Sequence, residues 1–224
     1  MNRLILENVT GVIIERQSHL NDTVSLIKKI NKKICFGKLR VLVGSDTPNQ
    51  VSHLDSEIEI ISVPTMNIQG YNNFCVKKLH LYCPTLYCLL MQLDGFPIAI
   101  DNWDDCFYNY DYIGAPWLEN KGHWWADCTQ RYVGNGGFSF RSKRLLDASA
   151  RLDYRKERGD WNEDAFISCI AGGELEKAGL KFADRATASK FSVEFSETDS
   201  DLKKCFGFHG KFNLGKINVR SALI

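Results

Sequence analysis

The chain has 224 residues, 44% of them hydrophobic and 25% charged, and a formal net charge of +1. That length fits one α/β domain with a filled core better than two domains, and the composition excludes a disordered chain. The near-zero charge excludes an overall field that would draw the protein to nucleic acid or an anionic membrane.

The N-terminal stretch does not read as a signal peptide, because Glu7, Glu15 and Arg16 interrupt its apolar residues. No run approaches the roughly 20 apolar residues that span a bilayer, so no transmembrane segment and a cytoplasmic setting are expected. The eight cysteines, among them Cys75, Cys88 and Cys205, form no CxxC pair. Free thiols in a reducing compartment are expected rather than disulfides or a structural zinc.

In chain order, residues 9–14 are an apolar strand, after which Asn21 and Asp22 are candidate N-caps of a helix reaching about Ile34. Lys28, Lys29, Lys32 and Lys33 alternate there with Val24, Ile27 and Ile30, the solvated and buried faces of one amphipathic helix. Residues 39–43 read as a second strand closed by Gly44, Ser45 and Asp46, and residues 58–63 as a third stopped by Pro64. A helix opening at Gly70 to Asn73 follows and ends at Pro84. Residues 86–91 are the most apolar strand and run directly into Gln92, Leu93, Asp94 and Gly95. Strands alternating with helices indicate βαβ units and a mostly parallel sheet, whose ligands bind beyond the carboxyl ends of the strands. Asp94 stands at such an end.

The second half is rich in aromatic residues and holds all five tryptophans. Helices are predicted over residues 143–152 and 163–178, the latter interrupted at Gly172 and Gly173. With no repeat or linker, residues 1–224 form one domain. Residues 1–95 are its nucleotide-binding half, and residues 96–224 its sugar and acceptor half.

Four stretches carry groups suited to chemistry. Asp94 reads equally as a ligand for a divalent cation, which takes oxygen donors, and as a turn residue before Gly95. The run Gly134-Asn135-Gly136-Gly137-Phe138-Ser139-Phe140-Arg141-Ser142 allows close approach to the backbone but lacks the spacing of a P-loop. Glu163 and Asp164 open a helix, either as residues favoured by its dipole or as a general base. His209, within Phe206-Gly207-Phe208-His209-Gly210, is either a core histidine or a ligand made accessible by its glycines.

Taken in order, Tyr110-Asp111-Tyr112-Ile113-Gly114-Ala115-Pro116-Trp117, the glycine-rich run, Glu163-Asp164 and Phe206-Gly207-Phe208-His209-Gly210 resemble a family of small predicted glycosyltransferases. Its members occur in bacteria and large viruses and have the glycosyltransferase-A fold. The resemblance extends from about residue 58 to residue 210. It implies a single-domain α/β fold with helices flanking a mostly parallel central sheet. It also implies a nucleotide-sugar donor, a glycan or other hydroxyl acceptor, and Mn2+ or Mg2+ on the donor diphosphate. On that resemblance Asp94 and His209 are the metal ligands. Gln92, where the family has a carboxylate, is left to contact ribose or a metal-bound water. Asn135, Gly136 and Gly137 lie under the donor sugar, and Asp164 is the base of an inverting transfer, kept ionised by the helix dipole.

Two further assignments follow from the chemistry. Arg16, just after the first strand, is placed near the nucleotide or diphosphate. Trp117, Trp124 and Trp125 are candidates to stack on sugar rings, or are simply buried. Two other functions use similar parts. A nucleotidyltransferase would carry a glycine-rich loop with Arg and Lys after the first strand, and residues 11–21 have none. A non-catalytic sugar-binding protein would have no need of Asp164.

Overall fold

A computed structural model describes residues 3–54, 56–117, 133–154, 161–195 and 199–217. Trp124, Trp125 and Cys128 lie outside the described residues. Strands β1 (Leu4–Arg16), β2 (Ile34–Ser45), β4 (Ile58–Pro64) and β5 (Tyr87–Met91) build the centre of a seven-stranded sheet. Its order is β3-β4-β2-β1-β5-β8-β7, with β3 at Val51–His53, β7 at Tyr112–Ile113 and β8 at Ser139–Ser142. The four central strands are parallel, whereas β3, β8 and β7 pair antiparallel. A three-stranded sheet, β6 (Gly95–Pro97), β10 (Gly207–His209) and β9 (Ser192–Val193), stands beside it in the order β6-β10-β9.

Alternation along the strands divides the core in two. Val9, Ile13, Leu89 and Met91 bury on the side of helix α1 (Leu20–Lys33), together with Phe96, Phe138, Phe191, Phe206 and Phe208. Val12, Ile14, Cys88 and Leu90 bury on the other side against Phe74, Cys75 and Leu79, from helix α2 (Ile68–Lys77) and the turn after it. Helix α3 (Lys143–Arg151) adds Leu146 to this second core. The large apolar residues of the run 9–14 thus divide, odd positions on one face and even positions on the other.

Several boundaries differ from the sequence reading. Helix α1 begins at Leu20 after a 3-10 turn, with His19 at its cap, so Asn21 and Asp22 lie inside its first turn. The turn already bends the chain into helical geometry, which leaves no cap position for them. Helix α2 starts at Ile68, where Asn67 Oδ1 accepts from the Gly70 N–H at 2.8 Å. The helical segment after Asn162 is α4 (Glu163–Ala165), a π turn over Phe166–Ile170, and α5 (Gly172–Lys177). Its irregularity precedes Gly172 rather than falling on the two glycines. The π turn buries Phe166 and Ile167 in a core formed with Leu145, Leu175 and Phe182. Cys75, Cys83 and Cys88 are free thiols within the second core, and the free thiol Cys205 is buried as well. Lys28, Lys29 and Lys32 are exposed, as the amphipathic reading requires.

Candidate active site

The chain order places a switch point between β1 and β5, because the sheet grows from β1 towards β2 on one side and β5 on the other. A crevice at the carboxyl ends of two such strands is where open α/β sheets bind ligands. Beyond β5 the chain makes a tight turn: the Gln92 N–H donates to Gly95 O at 2.8 Å, and the Gly95 N–H returns to Gln92 O at 3.0 Å. Gly95 then opens β6 and pairs with His209 of β10. The turn therefore joins the two sheets and brings together residues more than a hundred positions apart.

His209 Nε2 lies 3.2 Å from Gln92 Oε1 and 3.9 Å from Asp94 Oδ1. On its other side Nδ1 faces Glu194 Oε1 at 3.5 Å. Burial works against a charged imidazole, but the carboxylates of Glu194, Asp94 and Asp164 outweigh it and hold the His209 pKa above the ordinary value. The side chains of His209 and Asp94 are 19% and 25% exposed, so this is a lined recess and not a core histidine. Gln92 is fixed from the α2 side, where its Nε2 donates to the Tyr71 hydroxyl at 2.8 Å. Asn213 ties the framework together, since its Nδ2 donates to the carbonyls of Val193, Glu194 and His209.

The glycine-rich run enters at the same edge, because β8 is antiparallel to β5 and begins beside Leu90. Its glycines make room for the protein's own side chains. A Cβ on Gly137 would stand 2.0 Å from His209 Nε2, one on Gly136 1.6 Å from Glu163 Oε1, and one on Gly134 1.8 Å from Trp117 Cζ2. Asn135 holds a left-handed backbone with φ 61°. It is buried, and its amide oxygen and nitrogen both lack a partner among the described residues. Such a group is costly to bury and marks a site that expects a polar ligand or water.

Glu163 and Asp164 take different roles. Glu163 is buried and pairs with the fully buried Arg141, Oε1 to Nη2 at 2.7 Å. Asp164 Oδ2 accepts from the Gly136 N–H at 3.3 Å and Oδ1 from the Ala165 N–H at 2.7 Å. Burial, then the Glu163 charge, push the Asp164 carboxyl up to about 7, although Ala165, Arg141 and Gly136 oppose the shift. The expectation that a helix dipole keeps Asp164 ionised is corrected: burial and the adjacent Glu163 charge outweigh whatever the helix N-terminus contributes.

Arg16 ends β1 on the same rim, exposed, with no protein partner for its guanidinium among the described residues. Trp117 is half-buried over Gly134, and its carbonyl accepts from Arg185 Nη1 at 2.8 Å. Tyr71, Glu194, Ser139 and Arg141 were not singled out in the sequence. Ser139 and Arg141 lie within the glycine-rich run, but no local pattern set them apart in it.

The donor set near His209 suits a hard divalent cation. It offers a carboxylate oxygen, an imidazole nitrogen and an amide oxygen, fewer than the six or more ligands such an ion takes. Among the described residues no three His, Cys, Asp or Glu side chains gather into a metal group. The third protein donor of this corner is the Gln92 amide.

The fold defines the class first. A glycosyltransferase involved in the glycosylation of the major capsid of PBCV-1 superposes with a TM-score of 0.51 at 12% identity, over 91% of this chain and 92% of that one. The galactosyltransferase LgtC, in complex with donor and acceptor sugar analogs, matches at a TM-score of 0.47 and 10% identity, over 90% and 87% of the two chains. The chain has the glycosyltransferase-A type of α/β fold. By sequence it belongs to the family described as Protein of unknown function (DUF5672), whose model matches residues 56–209. No curated protein matches it. No helix among the described residues is long and apolar enough to cross a membrane.

Proposed function

We propose that the chain transfers a sugar from a nucleoside-diphosphate sugar to a hydroxyl acceptor, with inversion, using Asp164 as base and a Mn2+ or Mg2+ ion at Asp94 and His209. One observation carries the reading: consecutive glycines, Gly136 and Gly137, bring the Asp164 carboxylate and the His209–Asp94–Gln92 corner to opposite sides of the same loop. This pairs a group that can take a proton with groups that can hold a cation, at the crevice the sheet topology predicts.

A cation at Asp94 and His209 would neutralise the diphosphate as it leaves. The chain's own residues do the rest. Gln92, fixed by Tyr71, keeps the His209 ring turned towards Asp94. Asn135 offers the N–H donors and the oxygen of its unpartnered amide to sugar hydroxyls, and Trp117 offers an apolar ring face. Arg16 extends over the rim where the phosphates or nucleotide would lie. Asp164 takes the proton of the attacking hydroxyl, and a pKa near 7 suits that task at neutral pH. In this reading residues 1–95 bind the nucleotide, and residues 96–224 bind sugar and acceptor.

The test is a panel of UDP-, GDP- and CMP-sugars incubated with the protein in manganese, following slow release of the nucleotide. Binding of UDP and GDP by wild type and Asp94→Asn is measured in parallel by calorimetry. Manganese-dependent release from one donor, with binding weakened about 10–100-fold in Asp94→Asn, is expected. Pyrophosphate release in a parallel incubation with a nucleoside triphosphate and a sugar 1-phosphate would point to nucleotidyl transfer instead. Sugar binding without turnover of any donor would reduce the protein to a lectin.

A further inference from the structure

Gly136 is held from every side. Its carbonyl accepts from Ser139 Oγ at 2.9 Å and from Arg141 Nη2 at 3.4 Å, while its N–H donates to Asp164 Oδ2 at 3.3 Å. Glu163 fills the space of its absent Cβ. Arg141 links these contacts: Nε donates to Ser139 Oγ at 2.9 Å, Nη2 pairs with Glu163, and the guanidinium lies 5.5 Å from the centre of the Tyr112 ring.

A buried ion pair is an expensive way to hold a strand. Desolvating both charges offsets much of their attraction, and apolar residues of equal volume often hold a core as well or better. Arg141 and Glu163 are also not scattered in the core. They lie against the Gly136 peptide, which reaches Asp164 Oδ2 from across the loop while the Ala165 N–H holds Oδ1.

We propose that the Arg141–Glu163 pair is the positioning device for Asp164, clamping the Gly136 peptide against which its carboxylate rests and thereby fixing the direction that carboxylate faces. The proposal rests on the reading of Asp164 as base for its purpose, but not for its geometry. Asp164 is faced by Glu163 from its own helix, Arg141 from β8, Tyr112 from β7 and His209 from β10. Of these Glu163 acts most directly, through the adjacent negative charge. The pair therefore bears on where the carboxylate points, and its two charges act on the carboxyl in opposite directions, beside the larger effect of burial.

The test follows the Asp164 side-chain carbon by 13C NMR through a pH titration, assigned with Asp164→Asn, together with the Gly136 amide resonance. Wild type, Glu163→Gln, Arg141→Lys and Ser139→Ala are compared, and far-UV circular dichroism establishes that each is folded. Glu163→Gln keeps the shape and removes the charge, so the Asp164 midpoint should fall by about one pH unit. Arg141→Lys and Ser139→Ala should move the Gly136 amide, because each withdraws a donor from its carbonyl. Ser139→Ala removes only a hydroxyl and remains informative if Arg141→Lys does not fold. An unchanged Asp164 midpoint in Glu163→Gln, with an unmoved Gly136 amide in Ser139→Ala, would overturn the proposal. If both signals move but Asp164→Asn turns over the donor sugars of the panel normally, the clamp stands and the base reading falls.

Discussion

Gly136 and Gly137 are neighbours, yet the corners they serve are built in opposite ways. On the Gly137 side Asp94, Gln92 and His209 come from turn and strand ends, stay partly exposed, and touch one another at 3.2–3.9 Å. On the Gly136 side Glu163 and Arg141 are buried and tightly paired, and Asp164 sits against them with its carboxyl pushed up to about 7. A corner of exchangeable donors suits a ligand that arrives and leaves, whereas a desolvated carboxylate suits proton transfer near neutral pH. The same loop thus separates two electrostatic environments by one residue.

The strongest way to break the comparison is Asp164→Asn. It removes the proton acceptor with almost no change of shape. Turnover should fall by about two orders of magnitude or more, with nucleotide binding retained. Glu163→Gln should reduce turnover far less. Near-normal turnover in Asp164→Asn, or a product that keeps the donor's anomeric configuration, would leave the Gly136 corner without its chemical role.

The next effect is on folding, and it sharpens the difference between the glycines. In Gly136→Ala the new methyl meets a carboxylate locked by Arg141. In Gly137→Ala it meets the tips of two partly exposed side chains, the His209 imidazole and the Gln92 amide, neither of them locked in a buried ion pair. Denaturant unfolding should show a loss of about 1–3 kcal/mol for Gly136→Ala, the usual range for overpacking, and less for Gly137→Ala. Equal losses would mean that His209 is as rigidly held as Glu163. His209→Ala, by the same reasoning, should weaken manganese-supported nucleotide binding while changing the melting temperature little.

The smallest effect expected is on stability against pH. The Asp164 carboxyl binds its proton more tightly folded, at about 7, than unfolded, near 3.9. Its contribution to stability is therefore full below about pH 4 and is lost as pH rises through about 7. Asp164→Asn should lie closest to or below wild type at pH 4, and gain relative to it by pH 8. The difference is on the order of 1–2 kcal/mol after discounting for partial exposure. Base-dependent turnover runs the opposite way and should rise through the same pH range. A variant no more stable than wild type at pH 8 would show that burial does not penalise the Asp164 charge.

Apolar runs closed by turn residues made the central sheet legible. Residues 9–14, 39–43, 58–63 and 86–91 became β1, β2, β4 and β5 because strands buried on both faces need continuous apolar runs, and Asp94 was visible at the end of the most apolar one. Motif order supplied the fold type and the candidates Asp164 and His209, and composition left the cysteines free. What only the tertiary structure decided were the contacts between distant elements. Strands β6, β9 and β10 are two or three residues long, too short to leave an alternation, and exist because they pair with one another. Tyr71 meets Gln92 across 21 positions, and Arg141 meets Glu163 across 22. No local pattern marks such partners. The glycines show the division most clearly: the sequence indicates that side chains are unwanted at positions 134, 136 and 137, but the space belongs to Trp117, Glu163 and His209 only because the folded sheet edge brings them there. Backbone preference is written in neighbouring residues, whereas excluded volume and a shifted pKa arise only when remote groups are forced together out of water.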